Sequence, residues 1–326
     1  MDAWVCAKTT GVDDLVWDWV PTPPVRNREV LVEIRAASLN FPDLLMVQGQ
    51  YQMTPELPFV PGAEFAGRII GSADEYTLED VRIGQDVCCV SGTGAFASHA
   101  IVHESMCVPI PPNVRYVDAA CMIMTYGTAY HALYDRAQLE ADECVLILGA
   151  AGGVGTAAIQ LARLGGARVI AAASSDAKCS TCRQQGADHV INTSREDLRA
   201  RLKELTGGAG PDVIVDPVGG RLTEQAFRSI AWRGRHLVIG FAAGDIPSIP
   251  LNLALLKGAS LIGVFWGDYA KRERLANLAM MRELFDLYLK QKIAPVIDTT
   301  VRMQELKEAF TRLQTRQVRG KIVLKN

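Results

Sequence analysis

Residues 144–155 constrain this chain more than any others. Val145-Leu146-Ile147-Leu148 is an uninterrupted apolar run that stops at Gly149-Ala150-Ala151-Gly152-Gly153-Val154-Gly155. A helical pattern then continues to Leu164. An apolar strand feeding a glycine turn that opens a helix is the context in which a backbone cradles a pyrophosphate. The backbone must approach the anion closely, so a side chain at Gly152 would obstruct it. The N–H groups at the helix start, over Gly153, Val154 and Gly155, then face the negative charge. The spacing departs from G-x-G-x-x-G, because Ala150 stands where the first glycine would be. The alternative is a glycine-rich turn in an α/β domain that holds no nucleotide. Cys144 to Ala162 also lacks any charge, which raises the question of a membrane span. Its four glycines at 149, 152, 153 and 155 suit a buried strand turning into a helix better.

The surroundings support the strand reading. Five more apolar runs follow, at 169–173, 189–192, 213–215, 236–239 and 261–265, with helix-type segments near 176–185, 196–205 and 222–230. Such alternation predicts an α/β fold with a parallel six-stranded sheet covered on both faces, doubly wound. Residues 1 to about 120 read differently. Runs at 30–34 and 65–70 are strand-like, and prolines at 21, 23, 24, 55, 58, 61, 109, 111 and 112 work against long helices. Residues 118–134 look helical. The tail shows an amphipathic helix at 275–290, another at 306–313 and a strand at 321–324. A length of 326 residues fits about two domains.

Composition narrows the function classes. Lys+Arg number 34 against 36 Asp+Glu, a net charge of −2, so no global field draws nucleic acid or an anionic membrane. Met1-Asp2-Ala3-Trp4 offers neither the basic nor the apolar region of a signal peptide. Eight scattered cysteines then read as reduced thiols of a cytoplasmic protein. Cys179 and Cys182 have metal-type spacing but no second pair nearby, and His99 and His103 define no metal by spacing. No metal site is expected.

The run at 169–173 leads into Ser174-Ser175-Asp176. An NAD site usually carries an acidic residue at the end of this strand for the ribose hydroxyls. Ala173 and Ser174 stand there instead, and Asp176 is placed to N-cap the next helix. Ser174, Ser175 and Lys178, joined by Arg195, offer hydroxyls and cations to a 2′-phosphate, which favours NADPH. Lys178 has a second reading as a solvated helix residue.

Five segments now point to a family: Ser38-Leu39-Asn40-Phe41-Pro42-Asp43; Gln48-Gly49-Gln50-Tyr51; Pro61-Gly62-Ala63-Glu64-Phe65-Ala66-Gly67; the glycine turn; and Gly240-Phe241-Ala242 with Val264-Phe265-Trp266-Gly267. From end to end the chain resembles the zinc-independent quinone oxidoreductases of the medium-chain dehydrogenase/reductase superfamily. The resemblance implies a GroES-like β-rich catalytic domain of residues 1–121 and 267–326. It also implies an inserted Rossmann NADPH-binding domain of residues 122–266 with strand order 3-2-1-4-5-6, and a cofactor lying between the two. Where the zinc-dependent branch has a cysteine and a histidine ligand, this chain has Asn40 and Ala63, neither of which replaces a thiolate or imidazole.

The resemblance also implies roles. Asn40 faces the nicotinamide as an amide donor, and Tyr51 stands at the cleft mouth as a hydrogen-bond or proton donor. Asp43 orients either group or caps a turn. Thr128 lies near the nicotinamide, and Gly240, Phe241, Val264, Phe265 and Trp266 occupy cofactor-side positions. The aromatic residues can equally be core, or belong to a homodimer contact along the free sixth strand. The expected activity is NADPH-dependent hydride transfer to a quinone, a small-molecule acceptor whose developing negative charge needs donors nearby. The alternatives are reduction of α,β-unsaturated carbonyls or enoyl thioesters, and an NADPH-binding protein with a structural or regulatory task.

Overall fold

A computed structural model of the chain describes residues 1–52, 54–74 and 78–326. It divides into two compact units, one of Met1–Met124 with Tyr269–Asn326 and one of Thr125–Asp268.

The first unit is built on antiparallel pairing. Strand Glu29–Ser38 alternates buried Val30, Val32 and Ile34 with outward residues, as a sheet with one covered face requires. It pairs with Glu64–Ser72 along its length, with His99–His103 at its start and with Lys321–Lys325 at its end. Asp86–Val90 and Cys107–Pro109 extend the sheet on one side, and Ile297–Arg302 on the other. The tail therefore contributes strands to the same sheet as the N-terminal segment, with Val323 opposite Ser38 and Leu324 opposite Ala37. Phe65, Phe96 and Phe310 fill the core beneath it, Phe96 and Phe310 meeting edge to face at 6.1 Å. The tail helices are Arg274–Leu289 and Leu306–Gln314.

The second unit is a six-stranded parallel sheet. In spatial order its strands are His189–Asn192, Arg168–Ala173, Cys144–Leu148, Val213–Asp216, Arg235–Val238 and Ser260–Gly263. Numbered along the chain this is 3-2-1-4-5-6. Every residue of Cys144–Leu148 is buried, because helices cover both faces. Strand order reverses between the first and fourth strands, and in open sheets of this kind ligands bind outside the strand C-termini at that switch.

Some boundaries differ from the sequence pattern. The sixth run reads as strand to Phe265, but the strand ends at Gly263 and Trp266 opens the helix Trp266–Arg272. Helix Leu251–Lys257 has no counterpart in the pattern: none of its residues is fully buried, only Leu253 and Ala254 pack on the core, and Leu251, Leu255 and Leu256 are exposed. The uncharged stretch from Cys144 is a five-residue strand, a turn and the helix Gly153–Leu164. No helix among the described residues is long and apolar enough to cross a membrane.

Candidate active site

The residues singled out from the sequence fall into two groups, one in each unit. In the second unit the glycine turn has three glycines with three different reasons. Gly149 has φ +58°, and a Cβ there would lie 2.6 Å from Val218 Cγ2. A Cβ on Gly155 would lie 2.6 Å from both Ala150 Cα and the Gly149 carbonyl, so the helix can pack this close to the strand only with glycine. Gly152 is different. Its backbone is extended, and a Cβ there meets nothing closer than 3.4 Å. Neither packing nor backbone conformation within the protein requires glycine at 152.

Gly152 is the N-cap of Gly153–Leu164 and supplies no capping side chain. The Gly152 carbonyl accepts from Thr156 N–H at 2.8 Å, the first helical bond. The N–H groups of Gly153, Val154 and Gly155 precede that bond and point out of the helix start, where partial positive charge accumulates.

At the end of the second strand the structure corrects one assignment. Ser175, not Asp176, caps the helix Asp176–Gln184, its hydroxyl accepting from Lys178 N–H at 3.3 Å. Asp176 sits one position too far along to cap. Its carboxylate instead accepts from Asn192 Nδ2 at 2.6 Å and pairs with Arg195 at 2.6 Å. This ties the ends of the second and third strands together. The carbonyl of exposed Ser174 accepts from the Ser194 hydroxyl at 2.8 Å. The Arg195–Asp176 pair is exposed on both sides and costs little to open.

The aromatic residues separate. Trp266 is buried against Gly127, where a Cβ would lie 2.8 Å from its ring, so Trp266 is a core residue next to half-buried Thr128. Val264 is buried as well, whereas Phe265 is 61% exposed. Phe241 and Gly240 are half-buried at the end of the fifth strand.

In the first unit Asn40 precedes helix Phe41–Val47 and is nearly buried. Its two amide hydrogens go to Glu64 Oε1 at 2.8 Å and the Ser38 carbonyl at 3.2 Å, and its carbonyl accepts from Lys321 Nζ at 2.5 Å. An amide nitrogen has two hydrogens, and both are taken. The Asn40 amide thus links three segments of the unit. Glu64 is completed by Lys321 Nζ at 2.9 Å and by Met124 N–H at 3.0 Å.

Asp43 is fully buried and accepts from Asn40 N–H at 2.7 Å, closing the first turn of its helix. Burial pushes its carboxyl up to about 7, while the Asn40 N–H bond and Lys321 oppose the rise. Tyr51 is half-buried and packs on the apolar core. Burial, with the nearby Asp43 charge, raises its phenol above the ordinary range, so the hydroxyl keeps its proton.

Four participants, Glu64, Lys321, Asp216 and His236, are not singled out by the sequence. Glu64 and Lys321 are the buried partners of Asn40. In the second unit Asp216 is buried at the end of the fourth strand with His236 beside it. The signal that Glu64, Lys321 and Asp216 share is a charged residue at the end of an apolar strand, visible at Glu64-Phe65-Ala66, Lys321-Ile322-Val323-Leu324 and Val213-Ile214-Val215-Asp216.

Residues 26–112 match the alcohol dehydrogenase GroES-like domain family and residues 153–283 the zinc-binding dehydrogenase family. The chain is 37% identical to quinone oxidoreductase-like protein 2 of Mus musculus over 92% of its own length and 86% of the relative's. It is 32% identical to a quinone oxidoreductase of Pseudomonas aeruginosa over 94% of each chain. Among solved structures, the quinone oxidoreductase of Escherichia coli complexed with NADPH superposes with a TM-score of 0.93 at 26% identity, covering all of both chains. Fold and site together define a medium-chain dehydrogenase/reductase, an oxidoreductase class. Within it, the chain belongs to the zinc-independent quinone oxidoreductase family.

Proposed function

We propose that this protein is an NADPH-dependent reductase of quinones. The observation that carries the cofactor half is Gly152, a glycine that the protein leaves room around, beside a helix start whose first N–H groups have no partner within the helix. The residues fit the group: the turn 152–155 would hold the pyrophosphate, and Ser174, Lys178 and Arg195 the 2′-phosphate. When bound, NADPH supplies the hydride. NADPH complexes of the Escherichia coli and mycobacterial relatives support this reading.

For the acceptor, the chain's part is to meet negative charge as it develops on oxygen. Tyr51 is the donor for that task, because its phenol remains protonated across the physiological range. Asn40, Glu64, Lys321 and Asp43 hold the loop and helix that lead to it. The test is NADPH oxidation by the purified protein with a panel of ortho- and para-quinones. No turnover with any quinone overturns the assignment. Tight NADPH binding with no turnover of any acceptor would point to the structural or regulatory reading instead.

The second reading, reduction of α,β-unsaturated carbonyls or enoyl thioesters, draws on the same phenol, which can protonate carbon. Tyr51→Phe separates the two. A large loss with enones and a small one with quinones favours protonation at carbon. The same proposal includes a homodimer. Among the described residues strand Ser260–Gly263 pairs with Arg235–Val238 alone, and Leu255, Leu256, Leu261 and Phe265 are exposed. Pairing with a second copy removes both the free edge and the apolar surface. Sedimentation analysis reads the mass directly.

A further inference from the structure

Asp216 ends the fourth strand at the switch point and is 2% exposed. Four donors surround its carboxylate. Oδ1 accepts from Val218 N–H and Gly219 N–H, each at 2.9 Å, and Oδ2 from the Thr223 hydroxyl at 2.6 Å and His236 Nε2 at 3.1 Å. A carboxylate only accepts, so His236 carries its proton on Nε2. Its Nδ1 is buried and has no hydrogen-bond partner among the described residues, so the ring's polar contact is spent on Asp216.

The turn that Asp216 holds is laced to the loop after the fifth strand. Ile239 N–H reaches the Asp216 carbonyl at 3.0 Å, Ala243 N–H the Val218 carbonyl at 2.8 Å and Gly220 N–H the Asp245 carbonyl at 3.1 Å. Two side chains take their places from this lacing. Val218 lies against Gly149 of the phosphate turn, and Phe241 lies against Gly219. In a doubly wound sheet the adenosine half of a dinucleotide lies over the first three strands and the nicotinamide half over the last three, with the pyrophosphate at the first turn. Val218 and Phe241 belong to the second half of that track.

We infer that Asp216, supported by His236, is a positioning residue for the nicotinamide half of the cofactor, acting through the 217–220 turn that sets Val218 and Phe241. The inference rests on the NADPH reading above. It assigns a task to a buried carboxylate–imidazole pair whose hydrogen bonds all go to the protein's own groups.

The test is calorimetric titration of the full chain with two ligands, NADPH and adenosine 2′,5′-bisphosphate, which fills only the adenosine half. Asp216→Asn keeps the shape of the side chain, and its carbonyl can still accept from one or both turn amides. It loses the second acceptor oxygen. The expected result is an NADPH Kd raised about tenfold and a bisphosphate Kd changed less than about twofold. His236→Leu leaves Asp216 intact and removes one donor; it should shift NADPH binding in the same selective way. His236→Gln, which restores a side-chain N–H, should recover affinity. Equal weakening of both ligands in these variants means a merely structural role and overturns the inference, as does unchanged NADPH binding. If the unaltered protein binds neither ligand, the NADPH reading itself fails.

Discussion

Lys321 Nζ lies 2.9 Å from Glu64 Oε1 across 257 residues of sequence, and both side chains are buried. The contact fastens a tail strand to strand Glu64–Ser72, and the Asn40 amide sits between the two charges. Two charges taken from water gain little together, but either one left alone is costly. Lys321→Met should therefore destabilise the protein by about 3–5 kcal/mol. The double variant Lys321→Met with Glu64→Gln should recover a large part of that loss, since no orphan charge remains. Urea unfolding of the three proteins measures this. A single variant as stable as the parent, or a double variant no better than the single, contradicts the pairing.

Asp43 should give stability a pH dependence of unusual sign. Most carboxylates in a folded protein are held below their ordinary range and lose stability on acidification. Burial instead raises Asp43 from 3.8 to about 7. Below the unfolded value the group is protonated in both states and its stabilising contribution is fully present. As pH rises toward 7, the unfolded chain ionises while the folded one does not, so that contribution is progressively lost. Asp43→Asn has no titrating group there. Its stability relative to the parent should rise from pH 4 to pH 7 and level off above. A pH-independent difference between the two would show that Asp43 is not held protonated.

These two residues also mark what can be read from a sequence and what cannot. The six apolar runs and the glycine turn are local patterns, and the parallel sheet with helices on both faces follows from them because burial on both faces demands continuous apolar strands. Asn40, Asp43 and Tyr51 lie within a dozen residues, and their proximity is equally local. The engagement of the Asn40 amide is not, since beside the local Ser38 carbonyl its two charged partners arrive by tertiary return, one from the next strand and one from the last. Asp216 and His236 remained hidden for the same reason: they stand on neighbouring strands with a whole helix between them. The cap at Ser175 shows a smaller limit. Serine and aspartate are both good caps, and which one the helix takes depends on where Asn192 and Arg195 draw the carboxylate.

Choice of cofactor should respond to charge at the end of the second strand. Lys178→Glu places a carboxylate where the proposed 2′-phosphate site needs a cation. It should weaken NADPH binding at least about tenfold while leaving NADH within about twofold. Arg195→Ala should act in the same direction but less, because the guanidinium must first leave its exposed pair with Asp176. Titration with both dinucleotides checks the two variants. Equal loss of NADPH and NADH would place these side chains away from the 2′-phosphate.

Two glycines of one turn should fail in opposite ways. At Gly155 a Cβ would lie 2.6 Å from backbone atoms of Ala150 and Gly149. Neither can yield without separating strand from helix, so Gly155→Ala should destabilise the protein by about 1–3 kcal/mol. Gly152 has space and an extended backbone at the N-cap. Gly152→Ser should therefore leave stability unchanged or raise it by up to about 1 kcal/mol, since serine caps well. The serine oxygen would accept from the same helix-start amides that the pyrophosphate needs, and its side chain would occupy the ligand's approach. NADPH binding should fall at least about tenfold in this stable variant. Thermal unfolding paired with cofactor titration reads both effects. A Gly152→Ser protein that is stable and binds NADPH normally would remove the turn from the binding site.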